Sequence, residues 1–236
     1  IFCWHGNPDL IIAIIKLMED KLNAETDILD GGVQAILLVE DSVRFYSTYL
    51  PELYKLLLVQ NSEFLKDAYN EQQQINRKRA RPKVLLATNY TDAIEIYSRY
   101  KKNLLGVISD VGLIIKQGDK AEDEKLDAGV DICKMIKAET PWMPVIMQSS
   151  QDNYNEVAEQ LGVGFISKSS KTLLSELQDV ILREFGFGDF VFRNHETGAE
   201  VGRARDLMQM QELIATVPDD VLESHLSQMK LSKWLY

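Results

Sequence analysis

Cysteine is almost missing from this 236-residue chain. Cys3 and Cys133 are the only two, too few for a disulfide scaffold, and that scarcity points to a reducing, cytoplasmic setting. Long apolar runs are missing too. The longest, from Leu10 to Ile15, falls far short of the ~20 residues a membrane-spanning helix needs. Ile1-Phe2-Cys3-Trp4 has neither the basic start nor the small-residue cleavage site of a secretory signal. Positive charge is in deficit: 26 Lys and Arg against 36 Asp and Glu leave a net charge of −10. Most of the surface therefore repels nucleic acid, and only a local basic patch could hold it. No Gly-rich phosphate loop with Lys-Ser/Thr occurs, and no G-x-G-x-x-G follows a strand pattern, which argues against nucleotide binding. What is present is ordinary for a folded globular chain, with 45% hydrophobic and 26% charged residues; disorder and collagen are excluded. The length fits one large domain, or one domain with something added. The chain begins at Ile1 and stops at Tyr236 without a Gly or Pro stop signal, and is read as a piece of a longer protein.

Strand and helix patterns alternate. Five short apolar runs bounded by turn residues or charges read as buried parallel strands: 35–39, 84–87, 104–109, 145–147 and 164–167. Helical spacing fills the gaps. Phe45, Tyr49, Leu53, Leu56 and Leu57 line a helix over 43–58 that continues toward Gln74. Further helices are expected over 92–100, 130–136, 154–161 and 172–185, with Thr91 and Ser170 as N-caps. Five strand–helix units predict an α/β, doubly wound, five-stranded parallel sheet. Ligands of such sheets bind beyond the carboxyl ends of the strands, where the strand order reverses.

Two segments are long for such a fold. One, 61–81, extends the first helix and ends in Arg77-Lys78-Arg79-Ala80-Arg81, cations suited to a helix carboxyl terminus. The other, 113–127, is rich in Lys, Asp and Glu and reads as a solvated loop. Residues 2–18 also match 165–181 at an offset of 163. Phe2 falls on Phe165, Leu10 on Leu173, Ile14 on Leu177, Met18 on Ile181, and His5 takes the place of Lys168. Chance similarity between two strand–helix units would give the same match; the sharper expectation is that residues 1–25 are the last strand and helix of a preceding, degenerate copy of the main domain, which covers 33–186. After the turn signal Gly186-Phe187-Gly188-Asp189, residues 187–236 form a mostly helical extension: a short strand at 190–192, then helices over 207–217 and 221–231.

The chemistry lies at the strand ends. The first strand ends in Glu40 and Asp41, the third in Asp110, the fourth leads into Ser149-Ser150, and the fifth ends in Lys168. In a parallel sheet these positions open on one edge. Three carboxylates converging there repel one another unless a cation sits among them, and Mg²⁺ suits hard oxygen ligands. A lysine and a hydroxyl beside them would contact an oxyanion such as a phosphoryl group.

Taken together these runs resemble the receiver domain of two-component response regulators, a flavodoxin-like fold. Ile36-Leu37-Leu38-Val39-Glu40-Asp41 is similar to the family's first strand with its acidic pair, and Val107-Ile108-Ser109-Asp110 to the strand with the phospho-accepting aspartate. Pro144-Val145-Ile146-Met147-Gln148-Ser149 is similar to the fourth strand with its switch hydroxyl, and Gly164-Phe165-Ile166-Ser167-Lys168 to the fifth. The resemblance implies that Asp110 takes a phosphoryl group from a histidine kinase or phosphotransfer partner. It implies that Glu40, Asp41, Asp110 and the Gly112 carbonyl hold Mg²⁺, that Lys168 pairs with phosphoryl oxygens, and that Ser149 and Phe165 form the switch. It further implies a phosphorelay module regulating attached domains, with no catalysis by this chain beyond its own phosphorylation and dephosphorylation. Two departures stand out: Ser169 follows Lys168 where the family has proline, and both 61–81 and 113–127 are expanded. The tail, through Arg193-Asn194-His195-Glu196-Thr197-Gly198 and Lys233-Trp234-Leu235, resembles the region joining a receiver to later domains in large bacterial proteins related to phosphoenolpyruvate synthase and pyruvate phosphate dikinase.

Other readings stand beside this one. The module could keep the fold as an unphosphorylated pseudo-receiver that only binds partners. A phosphatase with an aspartyl nucleophile is disfavoured, because such enzymes carry a second aspartate two residues on, where this chain has Gly112. His5, His195 and His225 are too scattered for a metal site, Cys133 reads as core, and Trp234 as an anchor against a further domain.

Overall fold

The computed structural model describes residues 1–4, 6–66, 81–120, 124–194, 197–228 and 230–235. His5, His195, the helix continuation past Lys66 and the basic residues 77–80 lie outside the described residues.

Five runs too apolar to face water form the sheet: β1 (Ala35–Val39), β2 (Lys83–Ala87), β3 (Leu104–Asp110), β4 (Val145–Ser149) and β5 (Gly164–Ser167). All pairings are parallel, in the order β2-β1-β3-β4-β5. This is the flavodoxin-like, doubly wound arrangement, with its reversal between β1 and β3. Side chains alternate across the pleat. Ile36, Leu38, Ile108, Ile146 and Ile166 enter one core, and Leu37, Val39, Val107, Val145 and Met147 the other. The first core is covered by α1 (Asp9–Ala24), α2 (Val43–Lys66) and α6 (Leu173–Glu184). The second is covered by α3 (Tyr90–Tyr100), α4 (Ala128–Glu139) and α5 (Tyr154–Leu161).

Residues 1–4 carry no strand. Phe2 packs edge-on against Tyr46, and the Cys3 amide donates to Ser47 Oγ at 3.0 Å. α1 is fastened by Asp20, whose fully buried carboxylate accepts from Arg81 Nη1 and Nη2 at 3.1 and 2.5 Å. The same group accepts from Tyr54 Oη at 2.8 Å and the Val84 amide at 2.9 Å. Arg81 is thus a buried ion-pair partner rather than a helix-terminal surface cation. The 163-residue correspondence with α6 does not extend to burial: Ile181 is fully buried in α6, whereas Met18 is 48% exposed in α1.

Some local expectations need correction. α3 is capped by Asn89, whose side chain accepts from the Asp92 amide, and Thr91 lies inside the helix. The cap residue of α6 is Thr172, while Ser170 Oγ accepts from the Thr172 amide at 3.2 Å just ahead of it. The loop 113–127 is not simply solvated, since Leu113 is fully buried and bridges Lys125. The tail adds an antiparallel pair, β6 (Phe190–Arg193) and β7 (Glu200–Ala204), before α7 (Leu207–Ile214), α8 (Asp219–Ser227) and α9 (Lys230–Leu235). His225 is buried there, with Nδ1 at Val221 O and Nε2 accepting from the Arg193 amide. Trp234 packs on Phe190 and donates to Gly188 O at 2.7 Å, so its partner lies within this chain. Cys133 is fully buried core.

Candidate functional site

The register brings the expected residues together. Val39 pairs with Ser109, which sets Glu40 level with Asp110, and Asp110 pairs with Gln148. Ser149 pairs with Ser167, and the Lys168 amide donates to Ser149 O at 2.8 Å. Four strands thereby deliver Glu40, Asp41, Asp110, Ser149 and Lys168 to one carboxyl edge, beside the reversal between β1 and β3. The pleat sorts them further. Glu40, Asp110 and Lys168 share the parity of the α2-facing residues, while Ser149 and Phe165 share that of Met147 on the opposite face.

Glu40 is fully buried, with Oε1 accepting from the Ser42 amide at 3.1 Å and Oε2 lying 2.6 Å from Lys168 Nζ. Lys168 also donates to Asp110 Oδ2 and rests 4.3 Å from the centroid of the Phe45 ring. Asp110 Oδ1 accepts from the Val111 amide at 2.8 Å. Asp41 Oδ2 accepts from the Ile114 amide at 2.9 Å, tying the long loop to the site. Ser149 is buried, and its hydroxyl oxygen accepts from the Gln151 amide at 3.1 Å. Around them opens a cleft of about 210 Å³, lined among others by Asp41, Asp110, Gly112, Glu124, Ser149 and Lys168.

Phe165 stands apart from this cleft. It is partly buried against the second core and lines a separate cavity of about 660 Å³ with Pro144 and Val163.

Electrostatics set the chemistry. One carboxylate oxygen each from Glu40, Asp41 and Asp110 falls within 4.8 Å of the others, the group of metal-ligating type found among the described residues. At an effective dielectric near ~20, unit charges that close repel by about 3.5 kcal/mol per pair. Lys168 supplies one positive charge against three negative ones. Burial, with the neighbouring Asp110, pushes the Glu40 carboxyl up to about 8, against the pull of Lys168. Burial raises Asp110 as well, again opposed by Lys168. A metal-free site relieves the crowding by taking up protons. A divalent cation on hard oxygens would relieve it too, so the donor set fits Mg²⁺.

Four residues here were not singled out from the sequence. Glu124 faces the cleft from the long loop, and burial with Asp41 and Asp110 raises its carboxyl. Phe45 supports Lys168, on a helix face that reads only as core. Among the described residues the amide of fully buried Gln148 and the Tyr49 hydroxyl have no hydrogen-bond partner, and nothing in a one-dimensional pattern marks them. Gly129 is required by close approach: a Cβ there would meet the Asp110 carbonyl oxygen at 1.8 Å. That contact lets the first turn of α4 abut the end of β3, where the Gly129 amide donates to Val111 O at 2.8 Å.

No protein-family model matches the chain, and no curated protein matches it. Three solved structures to which the chain is similar are response regulators. A receiver domain protein from Clostridium thermocellum is 19% identical, with a TM-score of 0.40 over 65% of this chain and 94% of that one. DrrB of Thermotoga maritima, an OmpR/PhoB homologue, is 19% identical, with a TM-score of 0.34 over 68% of this chain and 57% of that one. The phosphorylated cyanobacterial phytochrome response regulator RcpA is 15% identical, with a TM-score of 0.38 over 72% of this chain and 99% of that one.

Proposed function

We propose that residues 33–186 form a phospho-accepting receiver module in which Asp110 is the nucleophile. The observation that carries this reading is the meeting of Asp110 with Asp41, Ser149 and Lys168 in one cleft, with buried Glu40 against Lys168 beside it, from four strands, at the reversal of strand order. A carboxylate oxygen of Asp110 attacks the phosphorus of a phosphohistidine on a kinase or phosphotransfer partner. The phosphorus–nitrogen bond breaks, and the imidazole leaves. Glu40, Asp41, Asp110 and the Gly112 backbone carbonyl would hold Mg²⁺, which when bound neutralises charge on the transferring phosphoryl group. Lys168 keeps the Asp110 carboxylate oriented and offers an ammonium to a phosphoryl oxygen. The Ser149 hydroxyl donates to the phosphoryl group from the other side of the sheet. Phe165, on that same side, moves toward the space Ser149 vacates, a population shift between two packings. Attached domains would receive the signal.

The test is incubation with acetyl phosphate and Mg²⁺, read by intact mass. The expected result is one phosphoryl group gained by the chain and none by D110N. An adduct that survives D110N would refute Asp110 as the acceptor. The absence of any adduct, with partner binding indifferent to a phosphoryl mimic, would instead make this a pseudo-receiver that works only by contact.

A further inference from the structure

Two residues after Asp110 the chain has no side chain, and Glu124 occupies the room one would fill. An ideal Cβ on Gly112 would stand 1.8 Å from Glu124 Oε1 and 2.9 Å from its Cδ. A carboxyl group is therefore present beside the end of β3, brought by the long loop instead of by residue 112. The loop stems are anchored by backbone. Leu113 and Lys125 exchange hydrogen bonds of 3.2 and 2.9 Å, and the amides of Tyr90 and Thr91 donate to the carbonyls of Ile114 and Ile115 at 2.9 and 3.1 Å. Glu124 immediately precedes Lys125 and so inherits that placement. It lines the cleft with Asp110 and Lys168, yet it is exposed to water. It also lies outside the carboxylate triplet suited to a cation, Glu40, Asp41 and Asp110. It is thus a water-facing carboxylate lining the same cleft as the nucleophile.

We infer that Glu124 is a catalytic base for hydrolysis of the Asp110 acyl phosphate, so that the module resets itself and turns over small acyl phosphates. The inference rests on the reading of Asp110 as phospho-acceptor. A water oxygen bonds to phosphorus while its proton passes to the Glu124 carboxylate. The phosphorus–oxygen bond to Asp110 breaks, its electron pair returning to a carboxylate that Lys168 holds. Inorganic phosphate leaves, and Glu124 releases the proton to solvent. Gly112 is what makes this possible, because any side chain there would displace the Glu124 carboxyl.

The experiment compares the chain with E124Q and E124A, each given acetyl phosphate and Mg²⁺. Three quantities are followed: phosphate release, the adduct by intact mass, and its decay after the donor is removed. General bases contribute roughly 10²–10⁴-fold. Both variants should therefore accumulate adduct and lose it at least ~10-fold more slowly, with phosphate release falling in step and the Mg²⁺ dissociation constant, by calorimetry, within about twofold. Adduct that decays equally fast or faster in both variants overturns the role of Glu124 and leaves phospho-acceptance standing. Neither adduct nor phosphate release in any of the three proteins overturns the acceptor reading and this inference together.

Discussion

Replacing Asp20 by alanine removes the centre of the buried cluster that ties α1 to the sheet. The Asp20 carboxylate accepts two bonds from Arg81 and one each from Tyr54 and the Val84 amide, and it lies 3.9 Å from Lys83 Nζ. Lys83 keeps a second partner, Asp27, at 2.7 Å. Arg81, 3% exposed, keeps the Pro82 carbonyl at 2.9 Å and the Tyr54 ring, 5.4 Å from its centroid, but no carboxylate among the described residues. Breaking a buried pair by deleting one member strands the other charge, at about 3–5 kcal/mol. That is a large share of the ~5–15 kcal/mol that holds a domain folded. Urea unfolding of D20A should therefore show a midpoint lowered by an amount equivalent to about 3–5 kcal/mol, with α1 opening to protease first. Replacing both charges together, as D20L/R81M, should recover most of the loss, because no charge is then stranded. A D20A cost below ~1 kcal/mol would refute the claim that this cluster fastens α1, and so would a double variant as unstable as the single one.

Other outcomes follow from the same geometry. Q148L should stabilise the protein by about 1–3 kcal/mol, since the buried amide has no hydrogen-bond partner among the described residues to lose; a lowered unfolding midpoint would contradict this. Glu40 and Asp110 are raised by burial, so the folded state binds their protons more tightly than the unfolded chain. Their contribution to stability is present below the unfolded carboxyl range of ~4 and is lost as pH rises toward about 8. Metal-free protein should lose urea resistance over that window and E40Q should lose less; a flat profile for the unmodified protein would refute the assignment. G129A sets a Cβ against the Asp110 carbonyl and should cost about 1–3 kcal/mol as α4 is pushed from β3, with slower phosphoryl uptake. Unfolding and adduct formation measured on the same sample would check both effects.

Much of the fold was legible because its signals are local. A strand buried on both faces reads as an apolar run, and 35–39 and 145–147 read that way from their neighbours alone, although the second strand runs on through polar Gln148 and Ser149. The acids ending β1 and β3 and the lysine after β5 could be set on one edge because parallel strands end on one edge. β7 was not read, since its Glu200, Val201 and Arg203 are solvent-facing and carry no alternating apolar pattern. Asn89 rather than Thr91 caps α3 because the helix starts one residue before Thr91, a shift that periodicity cannot resolve.

The order of residues along the chain was enough to determine the alternation of strand and helix, the carboxylates at the strand ends, and the Gly at position 112. Only the tertiary structure decided that Arg81 is a buried partner of Asp20, that Trp234 closes onto Gly188, and that Glu124 fills the room above Gly112. The reason is physical. Burial and hydrogen-bond periodicity act between near neighbours and leave a record in sequence, whereas a charge or carboxyl brought across space by a loop is selected by a partner whose position exists only once the chain has folded.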